Sequence, residues 1–298
     1  MAKKTVAVLV VTYNRLAKLV KCLESIFMQT FQDFDVFVID NASNDGTSDY
    51  VRNLHNNRIN YINTGQNLGG AGGFSFGLNE IWKQDYTYCW IMDDDTYPKQ
   101  DSLESMVKKM SILKAGYICS RVNWIDGEAC NMNTPSTGKP ESLKKVLALD
   151  NHLIEIQGCS FVSCLVDLAI VREVGLPIKE FFIYGDDVDF TRRIEKKAKG
   201  YLDLDSLVIH DMPSNNANSI AVCEQERIER YFYAIRNAVY IRRKHDHYRF
   251  IRLSKYYFRT LFSILKHARN KRFRRITVLN RGFIKGLFFN PKIVFFDQ

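Results

Sequence analysis

A chain of 298 residues, 46% of them hydrophobic and 25% charged, is long enough to close one large core and carry an extension. Six prolines and sixteen glycines are too few for a low-complexity or collagen-like chain, so global disorder is excluded. The net charge of +9 is unevenly placed: residues 1–226 hold 23 Lys and Arg against 30 Asp and Glu, whereas residues 227–298 hold 19 against 3. An acidic body with a cationic last quarter predicts that the tail meets a polyanion, either an anionic membrane surface or nucleic acid.

In chain order, residues 5–11 (TVAVLVV) are β-branched and continuously apolar, which predicts a strand buried on both faces. The run is too short for a secretory segment, and no stretch approaches the roughly 20 apolar residues that a spanning helix needs. Leu16, Leu19, Leu23, Ile26 and Phe27 recur at spacings of three and four and predict a helix packed back on that strand. A second strand at residues 34–40 runs into the turn-rich stretch from Asn41 to Gly46, and a third at residues 59–63 leads into a glycine-dense loop at 65–73. A fourth, at residues 86–92, stops at three consecutive aspartates. Strands alternating with amphipathic segments predict an α/β fold with a mostly parallel sheet, and such sheets bind ligands where their strands end.

Farther on, residues 134–145 read as a surface loop, 187–199 as a helix, 204–210 as a strand and 212–220 as a segment able to close over a site. Helical periodicity from about Glu224 divides the chain into a domain at 1–223 and a helical, cationic extension at 224–298. Within residues 250–266, Arg252, Lys255, Arg259 and Lys266 fall on one side, with Phe250, Leu253, Tyr257, Leu261 and Ile264 roughly opposite; the aromatics of 282–296 look exposed beside lysines. Bulky apolar groups interleaved with Lys and Arg suit a helix lying among lipid headgroups, so an anionic membrane surface is the expected partner. The tail carries no nucleic-acid motif and nucleic acid is not expected; a nucleic-acid-binding protein is the reading from another class, and its mark would be affinity falling steeply with salt. Seven scattered cysteines form no CxxC, and the close pair Cys159 and Cys164 lacks a clustered His, so reduced core thiols and a cytoplasmic compartment are expected.

Three groups of residues carry chemistry. At a strand end, Asp93 and Asp95 share a face while Asp94 points elsewhere, giving an oxygen-rich site for Mg2+ or Mn2+ beside a diphosphate. The glycines of 65–73 permit positive φ and close backbone approach to a ligand, without the spacing of an ATP-binding P-loop. Asp186, Asp187 and Asp189 open a helix just after Phe181, Phe182 and Tyr184. Capping accounts for one of them, and a shielded carboxylate there is placed to take a proton from a hydroxyl. His210, at the end of a strand, is either structural or a ligand for Mn2+.

The order Thr12-Tyr13-Asn14, the Asp40-Asn-x-Ser-x-Asp-Gly46 loop, Asn67-Leu-Gly-Gly-Ala-Gly-Gly-Phe74, Met92-Asp-Asp-Asp95, Gly185-Asp-Asp-x-Asp189 and a late His210 resembles the family 2 inverting glycosyltransferases of the GT-A fold. With the Tyr233-Ala-Ile-Arg-Asn237 helix, the pattern over residues 5–240 looks most like the bacterial galactofuranosyltransferases, and next like rhamnosyltransferases. The resemblance implies a Rossmann-like mixed, mostly parallel sheet flanked by helices. It implies that Thr12, Tyr13, Asn14, Arg15 and Asp40 border a uridine pocket, and that Asn67, Gly69, Gly70 and Gly73 approach the diphosphate and sugar. Asp93 and Asp94 would serve the donor; Asp93, Asp95 and His210 would form the metal site. Asp187 would be the general base, Asp186 would orient a sugar hydroxyl and Arg236 would sit near the closed site among the donor-binding residues. The implied donor is UDP-galactofuranose, or dTDP-rhamnose in the second case, and the acceptor a lipid-linked saccharide of a cell-surface polysaccharide. The enzyme would then sit peripherally on the inner face of the cytoplasmic membrane. One departure concerns the acceptor wall: where galactofuranosyltransferases have paired tryptophans after a glycine, this chain has Gly158-Cys159-Ser160-Phe161.

Overall fold

The computed structural model describes residues 4–137, 152–215, 219–246 and 248–296. The first half builds β1 (Val6–Thr12), α1 (Leu16–Phe27), β2 (Phe34–Asp40), α2 (Thr47–Asn53), β3 (Ile59–Asn63), α3 (Gly69–Trp82) and β4 (Tyr88–Asp93). These four strands pair in parallel in the order β3-β2-β1-β4. The chain leaves β1 toward one edge and returns on its other side as β4. Ligand crevices of open α/β sheets lie at such reversals.

The alternation within β1 explains its uninterrupted apolar sequence. Ala7, Leu9 and Val11 enter one core, with Phe74 and Leu78 of α3, whereas Val6, Val8 and Val10 enter the other, with Leu19 and Leu23 of α1. The glycine-dense stretch differs from the predicted loop, because residues 69–73 are already the first turns of α3. A Cβ added at Gly73 would lie 2.6 Å from Cγ1 of Val11, so this glycine lets the helix settle on β1.

Beyond β4 come β5 (Thr96–Pro98), α4 (Ser102–Leu113), β6 (Tyr117–Trp124), β7 (Leu153–Ile156), β8 (Cys164–Asp167), α5 (Leu168–Val174), α6 (Asp186–Glu195) and β9 (Gly200–His210). The sheet continues past β4 in the order β8-β6-β9-β5, with β7 beside β9. Here β8 runs antiparallel to β4 and β6, and β5 and β7 run antiparallel to β9. Cys159 and Cys164 lie buried with their sulfurs 3.6 Å apart and unbonded. The loop reading at 134–145 is described only as far as residue 137, where Ser136 bridges to Gly158; residues 138–145 lie outside the described residues, as do 216–218 of the closing segment.

The extension folds as α7 (Tyr231–His245), α8 (Arg249–His267) and α9 (Arg272–Phe288), whose shared cluster includes Ile228, Tyr231, Ile235, Ile264, Val278 and Leu279. Gly286 brings α9 onto α7, since a Cβ there would sit 2.6 Å from Cβ of Val239. The chain then returns to the body: Leu176 N–H donates to the Val294 carbonyl at 2.8 Å and Phe296 stacks on Trp82 with centroids 4.4 Å apart. Buried Phe296 therefore corrects the expectation that the terminal aromatics are all exposed. On α8 the outward apolar residues are Phe250, Ile251, Phe258, Phe262 and Leu265, whereas Leu253 and Ile264 face inward. Phe250 thus departs from the side predicted for it, because the helix sits on α7 and α9 through only part of its apolar arc.

Candidate active site

The sheet register aligns the expected residues along one rim. Thr12 is opposite Asp40 across β1 and β2, and Val11 is opposite Asp93 across β1 and β4. Beyond β4 the two aspartates of the turn share Arg15 Nη1 and differ in their other partners. Asp94 turns back to β1, accepting from Thr12 Oγ1 at 2.7 Å and from Arg15 Nη1 at 3.2 Å. Asp95 accepts from the same Arg15 Nη1 at 2.8 Å through Oδ2 and faces His210 Nε2 at 3.2 Å through Oδ1. The antiparallel β5–β9 pairing makes this possible, because it sets Thr96 opposite His210. One ligand atom each from Asp93, Asp95 and His210 then lies within 4.8 Å of the others.

The electrostatics of this trio are those of a cation site. Burial, then the charge of Asp95, pushes Asp93 up to about 7, and burial lifts Asp94 to about 6 against the pull of Arg15. Burial also opposes ionisation of Asp95, but the hydrogen bond and charge of His210, with Arg15 and Lys18, hold it below the usual carboxylate range. His210 is raised to about 9, its hydrogen bonds to Asp95 and Cys130 and the nearby carboxylates outweighing burial. Two carboxylates and an imidazole at this spacing fit a hard or borderline divalent ion such as Mg2+ or Mn2+. Asn133 completes the arrangement. Its Oδ1 accepts from His210 Nδ1–H at 2.8 Å, which leaves Nε2 turned to the trio.

The opposite wall is the start of α6. Phe182, Tyr184 and Gly185 all have positive φ, so the turn before Asp186 and Asp187 is held in a conformation that side chains disfavour. The motif helix supplies the restraint. Asn237 Nδ2 donates to the carbonyls of Phe181, Ile183 and Tyr184 at 2.8–3.1 Å, and Arg236 Nη2 donates to those of Glu180 and Phe181. Arg236, expected beside the donor, is therefore a clamp on this turn, with Phe289 packed 4.0 Å from its guanidinium carbon. Gly69 locks the same turn from below: its φ is +71° and a Cβ would collide with the Phe182 carbonyl, while Ala71 N–H donates to that oxygen at 3.2 Å.

The three aspartates of α6 separate by environment. Asp189 is structural, buried between Arg193 Nε at 2.9 Å and His245 Nε2 at 2.9 Å. Asp187 is half-buried and burial lifts it to about 6; Asp186 is pushed well above the ordinary range by burial, by Asp187 and, more weakly, by Asp93 across the cleft. Two neighbouring carboxylates whose proton affinities are driven apart suit an acid–base pair.

The remaining expected residues mostly shape the rim. Asp40 is fully buried, accepting from Ser43 N–H at 2.8 Å and Tyr61 Oη at 2.6 Å. Asn14 joins the first and second loops by accepting from Asn44 N–H, Asn67 accepts from Gly69 N–H, and Tyr13 stays exposed. Gly70 has open space around it, as close approach of a ligand requires, whereas Gly73 is used in packing on Val11. Sequence reasoning missed Lys18, whose ammonium is 3.7 Å from Asp95 and also reaches the Asp211 carbonyl, and it missed Asn133 and Asn237 as positioning residues. Ser160, in the departed acceptor wall, accepts from Asn133 Nδ2 at 2.9 Å and so stands beside the trio's support.

A parallel half-sheet ending in this cluster, faced by a carboxylate-bearing helix start, is the GT-A glycosyltransferase fold. The solved structure of GalNAc-T7 with UDP, GalNAc and Mn2+ shares it with a TM-score of 0.66 at 13% identity, over 92% of this chain and 54% of that one. Within the class, residues 7–173 match the model of glycosyl transferase family 2, and the chain belongs to that family. It is similar to galactofuranosyltransferase GlfT1 of Mycobacterium tuberculosis, 25% identical over 264 residues, covering 80% of this chain and 82% of the relative. A second relative is the GalNAc(5)-diNAcBac-PP-undecaprenol beta-1,3-glucosyltransferase of Campylobacter jejuni, 29% identical over 136 residues, covering 45% of this chain and 42% of that protein.

Proposed function

We propose that the protein transfers galactofuranose, with inversion, from UDP-galactofuranose to a hydroxyl of a lipid-linked glycan in cell-surface polysaccharide synthesis. The observation that carries the reading is the pair Asp186 and Asp187, held on a clamped turn opposite Asp93, Asp95 and His210. Asp187 accepts the proton of the acceptor hydroxyl, whose oxygen bonds to the anomeric carbon as the bond from that carbon to the UDP oxygen breaks, the electron pair leaving with UDP. Asp186, raised well above the usual carboxylate range by burial and by Asp187, orients a sugar hydroxyl. Arg15 and Lys18 sit where the departing diphosphate gathers charge, and Gly70 admits it closely. Asp93, Asp95 and His210 would hold Mn2+ or Mg2+, which supplies further neutralisation of that diphosphate when bound.

The likeness to GlfT1 and the motifs support galactofuranose as the sugar; Gly158-Cys159-Ser160-Phe161 in place of paired tryptophans counts against it, and dTDP-rhamnose, the next resemblance, is the second reading. Purified protein offered each donor with Mn2+ and a lipid-linked acceptor is expected to release UDP and consume only UDP-galactofuranose. Turnover with dTDP-rhamnose alone would replace the donor.

The same proposal places the 224–298 region, which packs on the 1–223 domain through α7 and the chain end, on the cytoplasmic face of the membrane. No helix among the described residues is long and apolar enough to cross a membrane. What supports attachment is α8, where Ile251, Phe258, Phe262 and Leu265 recur at spacings of seven, four and three and lie 48–69% exposed. Lys255, Arg259 and Lys266 flank that stripe, the combination that an anionic headgroup layer takes up. Because the chain end is packed into the body, point changes are the appropriate test. Phe258→Glu with Phe262→Glu is expected to cut cosedimentation with phosphatidylglycerol vesicles by about tenfold or more, each aromatic carrying on the order of 1.5–3 kcal/mol of burial. Unchanged recovery, or salt-sensitive binding to RNA instead, would sink the assignment.

A further inference from the structure

Between α6, α7 and α8 lies a cleft of about 630 Å3 that begins at Gly185, the residue before Asp186 and Asp187. Arg192, Arg242, Arg252, Lys255 and Arg259 line it against one carboxylate, Asp246. That carboxylate is already shared, 3.5 Å from Arg192 and 3.2 Å from Arg252. Among the described residues Lys255 and Arg259 have no carboxylate partner. Arg242 is fixed in place, stacked 4.1 Å over Tyr256 and donating to the Ala238 carbonyl at 3.0 Å, and burial weakens its hold on its proton. Cations concentrated in this way repel one another until a multiply charged anion joins them.

The position of the cleft defines the anion further. Tyr184 and Gly185, in the turn that leads into Asp186 and Asp187, line one end of it, and Lys255 and Arg259 on its other rim are neighbours in sequence of the exposed Ile251, Phe258 and Phe262 on α8. A molecule that satisfies all three features has a hydroxyl-bearing sugar, a phosphate group and a long apolar tail in sequence. The donor's own diphosphate is accounted for at the strand ends. We propose that this cleft binds the diphosphate of a polyprenyl-diphosphate-linked acceptor, holding its sugar at Asp187 while its lipid remains in the bilayer. The assignment rests on the glycosyl-transfer reading.

The test measures binding of farnesyl diphosphate to the full chain by calorimetry, with saturating UDP and with EDTA to remove divalent ions. Wild type is expected to bind farnesyl diphosphate more tightly than farnesyl monophosphate, with inorganic diphosphate competing. Arg242→Gln with Lys255→Gln should weaken binding by about tenfold or more, as loss of charge-assisted contacts implies, and Arg259→Glu, on the exposed side of α8, should do the same without disturbing packing. Lys108→Gln with Lys196→Gln, which removes the same charge elsewhere on the surface, should leave it unchanged. Equal affinity in wild type and all cleft variants overturns the proposal. So does competition by phosphatidylglycerol vesicles with none by inorganic diphosphate, which would make the cleft a bilayer-headgroup site. Farnesyl diphosphate binding that persists in a protein inactive with every donor would overturn the transfer reading and leave the cleft standing; transfer in which the cleft variants keep the wild-type KM for the diphosphate acceptor would do the reverse.

Discussion

Asp187→Asn is expected to lower transfer by about 10^3-fold or more while leaving the affinity for UDP unchanged, because a general base contributes roughly 10^2–10^4-fold and an amide cannot accept the acceptor's proton. The pH profile is a second readout of the same group. Burial lifts Asp187 to about 6. A base must be ionised, so kcat/KM should rise with pH through about 6 and level off above it. Asp186 is raised well above the usual carboxylate range by burial and by the charge of Asp187. The substitution should remove the rise near 6 together with the activity. Loss of UDP binding with transfer retained would assign Asp187 to the donor instead.

The second large effect is expected at the trio. Asp95→Ala and His210→Ala should each lower transfer by on the order of 10^2–10^3-fold. Mn2+ is expected to raise the Tm of the wild-type protein, and each substitution to abolish that rise, a readout independent of turnover. Asn133→Ala touches no ligand atom; it frees His210 Nδ1–H, and its expected cost is about 10- to 100-fold in Mn2+ affinity, seen as a rightward shift of the thermal titration. Full activity in EDTA, with the Mn2+-dependent Tm shift unchanged by either substitution, would remove the metal from the reading.

Much of this was legible in the sequence because it depends on local periodicity. The uninterrupted apolar run of β1 serves two cores at once, and the triple aspartate marks a strand end where i and i+2 share a face, so the grouping of Asp93 with Asp95 beside His210 is legible from position. What was not legible depends on pairings between distant segments. Nothing near Asn133 signals that it meets His210, 77 residues away, and that contact exists only because β9 runs antiparallel to β5 and parallel to β6. The clamp has the same origin. The Arg236-Asn237 pair can be seen in the sequence, but its partners are backbone carbonyls, which carry no residue signature, so Arg236 looked like a donor ligand. The glycine stretch misled because close helix-on-sheet approach and close ligand approach both require a missing Cβ; only the neighbours of Gly70 and Gly73 tell them apart.

The clamp turns α7 into a gauge of height. One side of this helix grips the turn that carries Asp187, and another side is pressed against α9 through Gly286. If α8 rests on a bilayer, the clamp and the packing of α7 on α9 tie the elevation of Asp187 to that of the membrane helix. An acceptor held in that bilayer would then meet Asp187 at a height set by α7.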